Sequence, residues 1–62
     1  MTLDGTYTTV DIASNGNLVS VTIGGTVTGA GGVDINTNSD LTTVDVSALT
    51  TDLVDIDGNS DL

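Results

Sequence analysis

The sequence predicts an all-β chain wound as a parallel β-solenoid, with coils of about 22 residues and two strands per coil. Three observations carry this reading. A trio repeats as Val10-Asp11-Ile12, Val33-Asp34-Ile35 and Val54-Asp55-Ile56, and each copy has Asn five positions after its Val (Asn15, Asn38, Asn59) and Leu eight positions after it (Leu18, Leu41, Leu62). The copies stand 23 and then 21 residues apart, and between them lie the echoes Leu18-Val19-Ser20-Val21-Thr22-Ile23 and Leu41-Thr42-Thr43-Val44-Asp45-Val46. Thr, Val and Ile supply 24 of the 62 residues, and β-branched side chains favour the pleated surface of a sheet.

Each element follows from these patterns. The trios alternate apolar, polar, apolar, the period of a half-buried strand, and no helical stripe of period 3.6 runs through the chain. Val and Ile of each trio are expected to face inward and stack on their counterparts one coil away. Asp11, Asp34 and Asp55 then form one outward row, with Asp45 on the other sheet opposite Thr22. Ala13 to Asn17, Gly24-Gly25, Gly29 to Gly32 and Asp57 to Ser60 are rich in Gly, Asn, Asp and Ser, the residues of turns, and mark the corners. Asn15, Asn38 and Asn59 fall at one corner, where an inward amide bonds backbone groups left unpaired by the bend. Leu18, Leu41 and Leu62 re-enter the core beyond it. A small antiparallel sandwich would explain the alternation but not the fixed Val–Asn–Leu offsets. The whole chain, 1–62, reads as a single solenoid segment with repeat copies near 7–29, 30–50 and 51–62.

The composition is narrow, with eleven residue types and no Lys, Arg, His, Glu, Gln, Pro, Cys, Phe or Trp. Disulfides, Cys/His zinc sites, imidazole bases, Schiff-base lysines and arginine clamps are therefore outside its chemistry. A net charge of −9 carried by nine aspartates makes nucleic acid a poor partner, since affinity for phosphate rests on Lys and Arg. No apolar run reaches the roughly 18 residues of a membrane span, so no membrane insertion is expected. Met1 to Gly5 lacks the flanks of a secretory signal; either a signal has been removed or the sequence is an excerpt of a longer chain. The Asp/Thr/Gly/Asn-rich, Lys-free composition fits an extracellular or cell-surface setting.

Tyr7-x-x-Val10-x-Ile12-x-x-Asn15 and Ala30-x-x-Val33-x-Ile35-x-x-Asn38 resemble the L-x-x-L-x-L-x-x-N core of leucine-rich repeats, with Thr51-x-x-Val54-x-Ile56-x-x-Asn59 as a third copy. More closely, Gly31-Gly32-Val33-Asp34-Ile35-x-x-Asn38-x-x-Leu41-Thr42-Thr43-Val44 is similar to the receptor L-domain type of repeat in bacterial surface proteins. That resemblance covers about residues 7 to 62 and implies an extracellular scaffold or recognition surface. It implies a fold and no reaction.

Two features bear on function. The 18 Val, Leu and Ile residues are few for a lone domain, and repeat folds usually need about three or more units with polar caps. The chain ends on Leu62, a core position, and starts with Leu3 and a Thr-rich strand, so both ends are expected to be uncapped, open sheet edges. The second feature is the aspartate row, whose repulsion calls for salt screening, raised pKa values or bound divalent cations. Asp55-x-Asp57-Gly58-Asn59-x-Asp61 places oxygen side chains at alternate positions around a Gly turn and resembles a calcium loop, which makes Asp55, Asp57, Asn59 and Asp61 a candidate calcium site. Thr6-x-Thr8 and Thr26-x-Thr28 resemble ice-binding arrays, but a 23-residue offset puts Gly29 and Gly31 at the positions of Thr6 and Thr8. Tyr7, the sole aromatic, reads as core filler. The expected role is a structural, self-assembling surface or filament subunit that is not an enzyme and whose partners are head-to-tail copies of itself. The alternative is an extracellular module that recognises protein or glycan through an exposed sheet.

Overall fold

The computed structural model describes residues 1–62. Nine strands run in chain order: β1 (Thr2–Leu3), β2 (Thr6–Tyr7), β3 (Val10–Ala13), β4 (Ser20–Ile23), β5 (Gly25–Val27), β6 (Val33–Asn36), β7 (Thr43–Asp45), β8 (Leu49–Thr50) and β9 (Val54–Asp57). They form three parallel three-stranded sheets, β1-β4-β7, β2-β5-β8 and β3-β6-β9. The chain is thus all-β and parallel throughout, in a β-solenoid-like arrangement. One strand from each sheet, taken in chain order, makes a rung: β1–β3, then β4–β6, then β7–β9. There is no helix, and so none long and apolar enough to cross a membrane.

The expectation of two strands per coil is corrected to three. The trios form β3, β6 and β9, and their echoes form β4 and β7. The third sheet consists of strands only two or three residues long, too short to carry an alternating signature. Its register also differs. Val10, Val33 and Val54 are partners in one sheet, whereas Thr6 pairs with Thr26 and Thr26 with Thr50 in the short one. Loops of unequal length cause the difference. Five residues, from Thr28 to Gly32, separate β5 from β6, against two between β2 and β3. Within the longer loop the Gly32 N–H closes a turn on the Gly29 carbonyl at 3.1 Å. Gly32 has φ +61 and packs so closely on the next rung that a Cβ there would collide with the Leu53 carbonyl oxygen.

The core is the stack of inward side chains. Val21, Val33, Ile35 and Leu41 are fully buried, Ile23 and Val27 nearly so, and Val10 and Ile12 close the first rung. Leu3, Tyr7, Leu18, Val44, Val46 and Leu49 pack against this cluster. Tyr7 lies half-buried against it and its hydroxyl donates to the Asp4 carbonyl at 3.4 Å. Alternation is clean in β3 and β4, where every second residue is buried, as a half-solvated sheet requires.

Candidate functional site

The asparagine corner is the most highly organised polar feature of the molecule. Asn38 is wholly buried and Asn59 is 9% exposed. The Asn38 Oδ1 accepts from the Asn15 backbone N–H and from Asn15 Nδ2, both at 3.0 Å. The Asn59 Oδ1 accepts from the Asn38 N–H and Nδ2 in the same way, again at 3.0 Å. Each amide also reaches one rung back: Asn38 Nδ2 donates to the Ile12 carbonyl at 3.0 Å and Asn59 Nδ2 to the Ile35 carbonyl at 2.9 Å. These bonds satisfy backbone groups that the bend removes from the sheet, as the spacing of the three asparagines predicts. No buried side-chain nitrogen or oxygen is left without a partner.

The residue before each asparagine turns the corner with positive φ: Ser14 at 59°, Thr37 at 56° and Gly58 at 66°. Only glycine takes this left-handed conformation freely; a β-branched residue there is strained. The ladder and the stacked Ile and Val columns hold Ser14 and Thr37 in place despite that strain.

The aspartate row is in register. Asp11 is the partner of Asp34, Asp34 of Asp55, and Asp45 of Thr22. Asn36 Nδ2 donates to Asp34 Oδ1 at 3.0 Å, giving the central carboxylate a donor two residues along its own strand. The matching positions in the outer rungs are Ala13 and Asp57, which offer none. Asp45 is held below its ordinary 3.8 by the Ser47 hydroxyl at 2.7 Å and then by the Ser47 N–H at 2.9 Å.

The candidate calcium residues are divided between two sides of the wall. Asp55 and Asp57 sit at the outward positions of β9, alternating with Val54 and Ile56, whereas Asn59 turns inward and commits its Oδ1 to Asn38. Asp61 lies in the turn that the Leu62 N–H closes on the Asn59 carbonyl at 3.0 Å. No three acidic side chains are gathered into a metal-binding group. The surface carries no pocket.

The threonine array needs a correction. Thr6 is matched to Thr26 and Thr50, not to a glycine, because this sheet keeps its own register. Two residues beyond them stand Thr8, Thr28 and Asp52, so outward Thr-x-Thr pairs occupy two rungs and a carboxylate ends the run.

The third rung leaves its apolar columns partly exposed. Leu62, read as a core residue, is 52% exposed, and Val54 and Ile56 are 38% and 39% exposed. Their column partners Val33 and Ile35, and Leu41 of the rung below, are at 0%. Residue type is the same in each column; only the presence of a rung above differs.

Compared with family models, curated proteins and solved structures, the chain matches none of them. Its class is therefore defined by its own geometry, as a parallel β-solenoid-like chain with an internal asparagine ladder and an apolar rung surface facing solvent.

Proposed function

We propose that this chain is a structural, self-associating subunit of an extracellular surface or filament, in which copies stack end to end. The observation that carries the reading is the contrast between Val54 and Ile56, more than a third exposed, and Val33 and Ile35, wholly buried in the same columns. Such a surface is the top of a layer built to be covered by another layer of the same pattern, and open sheet edges recruit further strands. The asparagine ladder supports the same view, because it is a repeat that extends by adding identical units. Register steps of 20 to 24 residues fit coils of about 22 residues. The composition and the likeness to L-domain repeats favour a cell-surface setting.

A heterologous contact of this kind makes fibres when it does not close into a ring. Sedimentation velocity on the isolated chain tests the proposal, run across a range of concentrations at high salt, where repulsion between aspartates is screened. The expected result is a sedimentation coefficient that rises with concentration, with filaments in electron micrographs. A folded chain that stays monomeric throughout would overturn it.

A further inference from the structure

The asparagine ladder has a direction, and its two ends are chemically complementary. Within the chain, each asparagine offers its N–H and Nδ2 forward to the Oδ1 of the next rung and reaches back with Nδ2 to an isoleucine carbonyl. At the third rung, Asn59 has no asparagine ahead of it, and its spare amide hydrogen turns back to the Asp57 carbonyl at 3.1 Å. At the first rung, Asn15 has no isoleucine behind it, and its spare hydrogen turns back to the Ala13 carbonyl at 3.1 Å. Asn38, with neighbours on both sides, makes no such bond to its own strand. One end therefore offers donors, and the other offers the Asn15 Oδ1, which accepts nothing within the chain.

We propose that a second copy of this chain docks its first rung on the third rung in a single register, with Asn15 over Asn59, so that the ladder passes unbroken through the joint. This rests on the stacking reading above and adds its polarity and register. Asn59 N–H and Nδ2 donate to the Asn15 Oδ1 of the incoming copy, and that copy's Asn15 Nδ2 reaches the Ile56 carbonyl. The same placement sets Val10 on Val54, Ile12 on Ile56 and Leu18 over Leu62, extending columns uniform in residue type; the newly covered surface lies on the third-rung side, because Val10 and Ile12 are themselves only 7% and 5% exposed. A slip of one residue would set aspartate against valine, since side chains alternate along a strand. Docking two third rungs face to face would oppose two sets of donors with no acceptor between them.

Disulfide trapping tests the register, since the chain has no cysteine of its own. Asp11 and Asp55 are exposed and two rungs apart within one chain, about 9.6 Å at ordinary strand spacing, beyond the ~4.4–6.8 Å Cα separation of a disulfide. Across the proposed joint they are neighbours at about 4.8 Å. Asp11→Cys mixed with Asp55→Cys under mild oxidation should give a cross-linked 1:1 pair, and the double variant a ladder of covalent oligomers. Asp55→Cys alone should give no dimer, and Asp11→Cys mixed with Asp57→Cys a yield several-fold lower. Asn15→Ala, which removes the acceptor, should raise the concentration needed for assembly by about tenfold. Dimers of Asp55→Cys with itself would overturn the polarity, and equal yields for the Asp57→Cys pairing would overturn the register. If the wild type sediments as assemblies while no mixed pair cross-links, the joint is wrong and stacking stands. If the wild type is strictly monomeric, both fall.

Discussion

Removing the central amide of the ladder is the sharpest test of what holds the rungs together. Asn38→Ala deletes four side-chain hydrogen bonds at a position with no solvent exposure: two accepted from Asn15 and one donated to each of Ile12 and Asn59. Each intramolecular bond contributes about 1 kcal/mol net, and a buried group left without a partner costs about 1–3 kcal/mol. Some relief is available, since Asn15 is exposed to water and the Asn59 Oδ1 keeps the Asn38 N–H. The expected loss is therefore about 3–4 kcal/mol, against about 1 kcal/mol for Asn15→Ala at the exposed end. A loss of that size is a large share of the stability of any small domain. Asn38→Leu separates hydrogen bonding from packing: it restores the volume without the amide and should be nearly as damaging as alanine. Urea denaturation followed by far-UV circular dichroism, at one fixed protein concentration, measures all three. If Asn38→Leu matches the wild type, or Asn38→Ala costs no more than Asn15→Ala, the ladder is not what secures the corner.

Four further outcomes are expected. Thr37→Gly should stabilise the chain by about 1 kcal/mol in the same denaturation assay, because it relieves a β-branched residue at φ 56; Gly58→Ala should do the reverse, its Cβ finding ordinary space but an unfavourable φ of 66. Asp34→Asn removes the middle charge of the row, and at a spacing of about 4.8 Å each pair repels by about 0.9 kcal/mol in water; the variant should be more stable than wild type at low salt, with the gain shrinking toward about 1 M salt. Asp45 titrates below its ordinary 3.8, so its contribution to stability is present above that value and is lost as pH falls through the depressed folded-state pKa; Ser47→Ala should move the Asp45 carboxyl resonance midpoint upward in an NMR titration. Calcium titrated into wild type and Asp57→Asn should give similar heats, because the Asn59 oxygen is committed to the ladder; a clear loss of heat in the variant would establish a calcium site at Asp57.

The legible part of the fold was the part with a local, repeated signal. The Val-Asp-Ile trios, with Asn and Leu at fixed offsets, placed β3, β6 and β9 in register and lined up the asparagines and Asp11, Asp34 and Asp55. The short sheet escaped because its inward residues share no type: Tyr7 is partner to Val27, and Gly25 to Leu49. Two or three residues of strand contain too little alternation to be told from a turn. The 23-residue offset of β3 and β6 does not hold for Thr6 and Thr26, because five residues, Thr28 to Gly32, separate β5 from β6 where only two separate β2 from β3. The left-handed corners at Ser14 and Thr37 were also hidden, because neither residue type signals positive φ. Only Gly58, in the same column, pointed to it.

Under the proposed stacking, two opposing terms set how readily copies would add. Every added copy would set one more Asp55 beside an Asp11, a repulsion of about 0.9 kcal/mol in bulk water that salt reduces. Against it stands the covering of Val54, Ile56 and Leu62, each still more than a third exposed in the free chain, where full burial of such a side chain is worth about 1.5–3 kcal/mol. Even a third of that range across three side chains exceeds the single carboxylate contact, before any sheet or ladder bond is counted. Ionic strength should therefore shift the concentration at which stacking begins without abolishing it. The ladder adds no stop of its own, since each rung presents donors forward and an acceptor behind. If copies stack as proposed, growth would end only where a different surface, lacking the Asn15 oxygen or the Val10 and Ile12 columns, takes the next place.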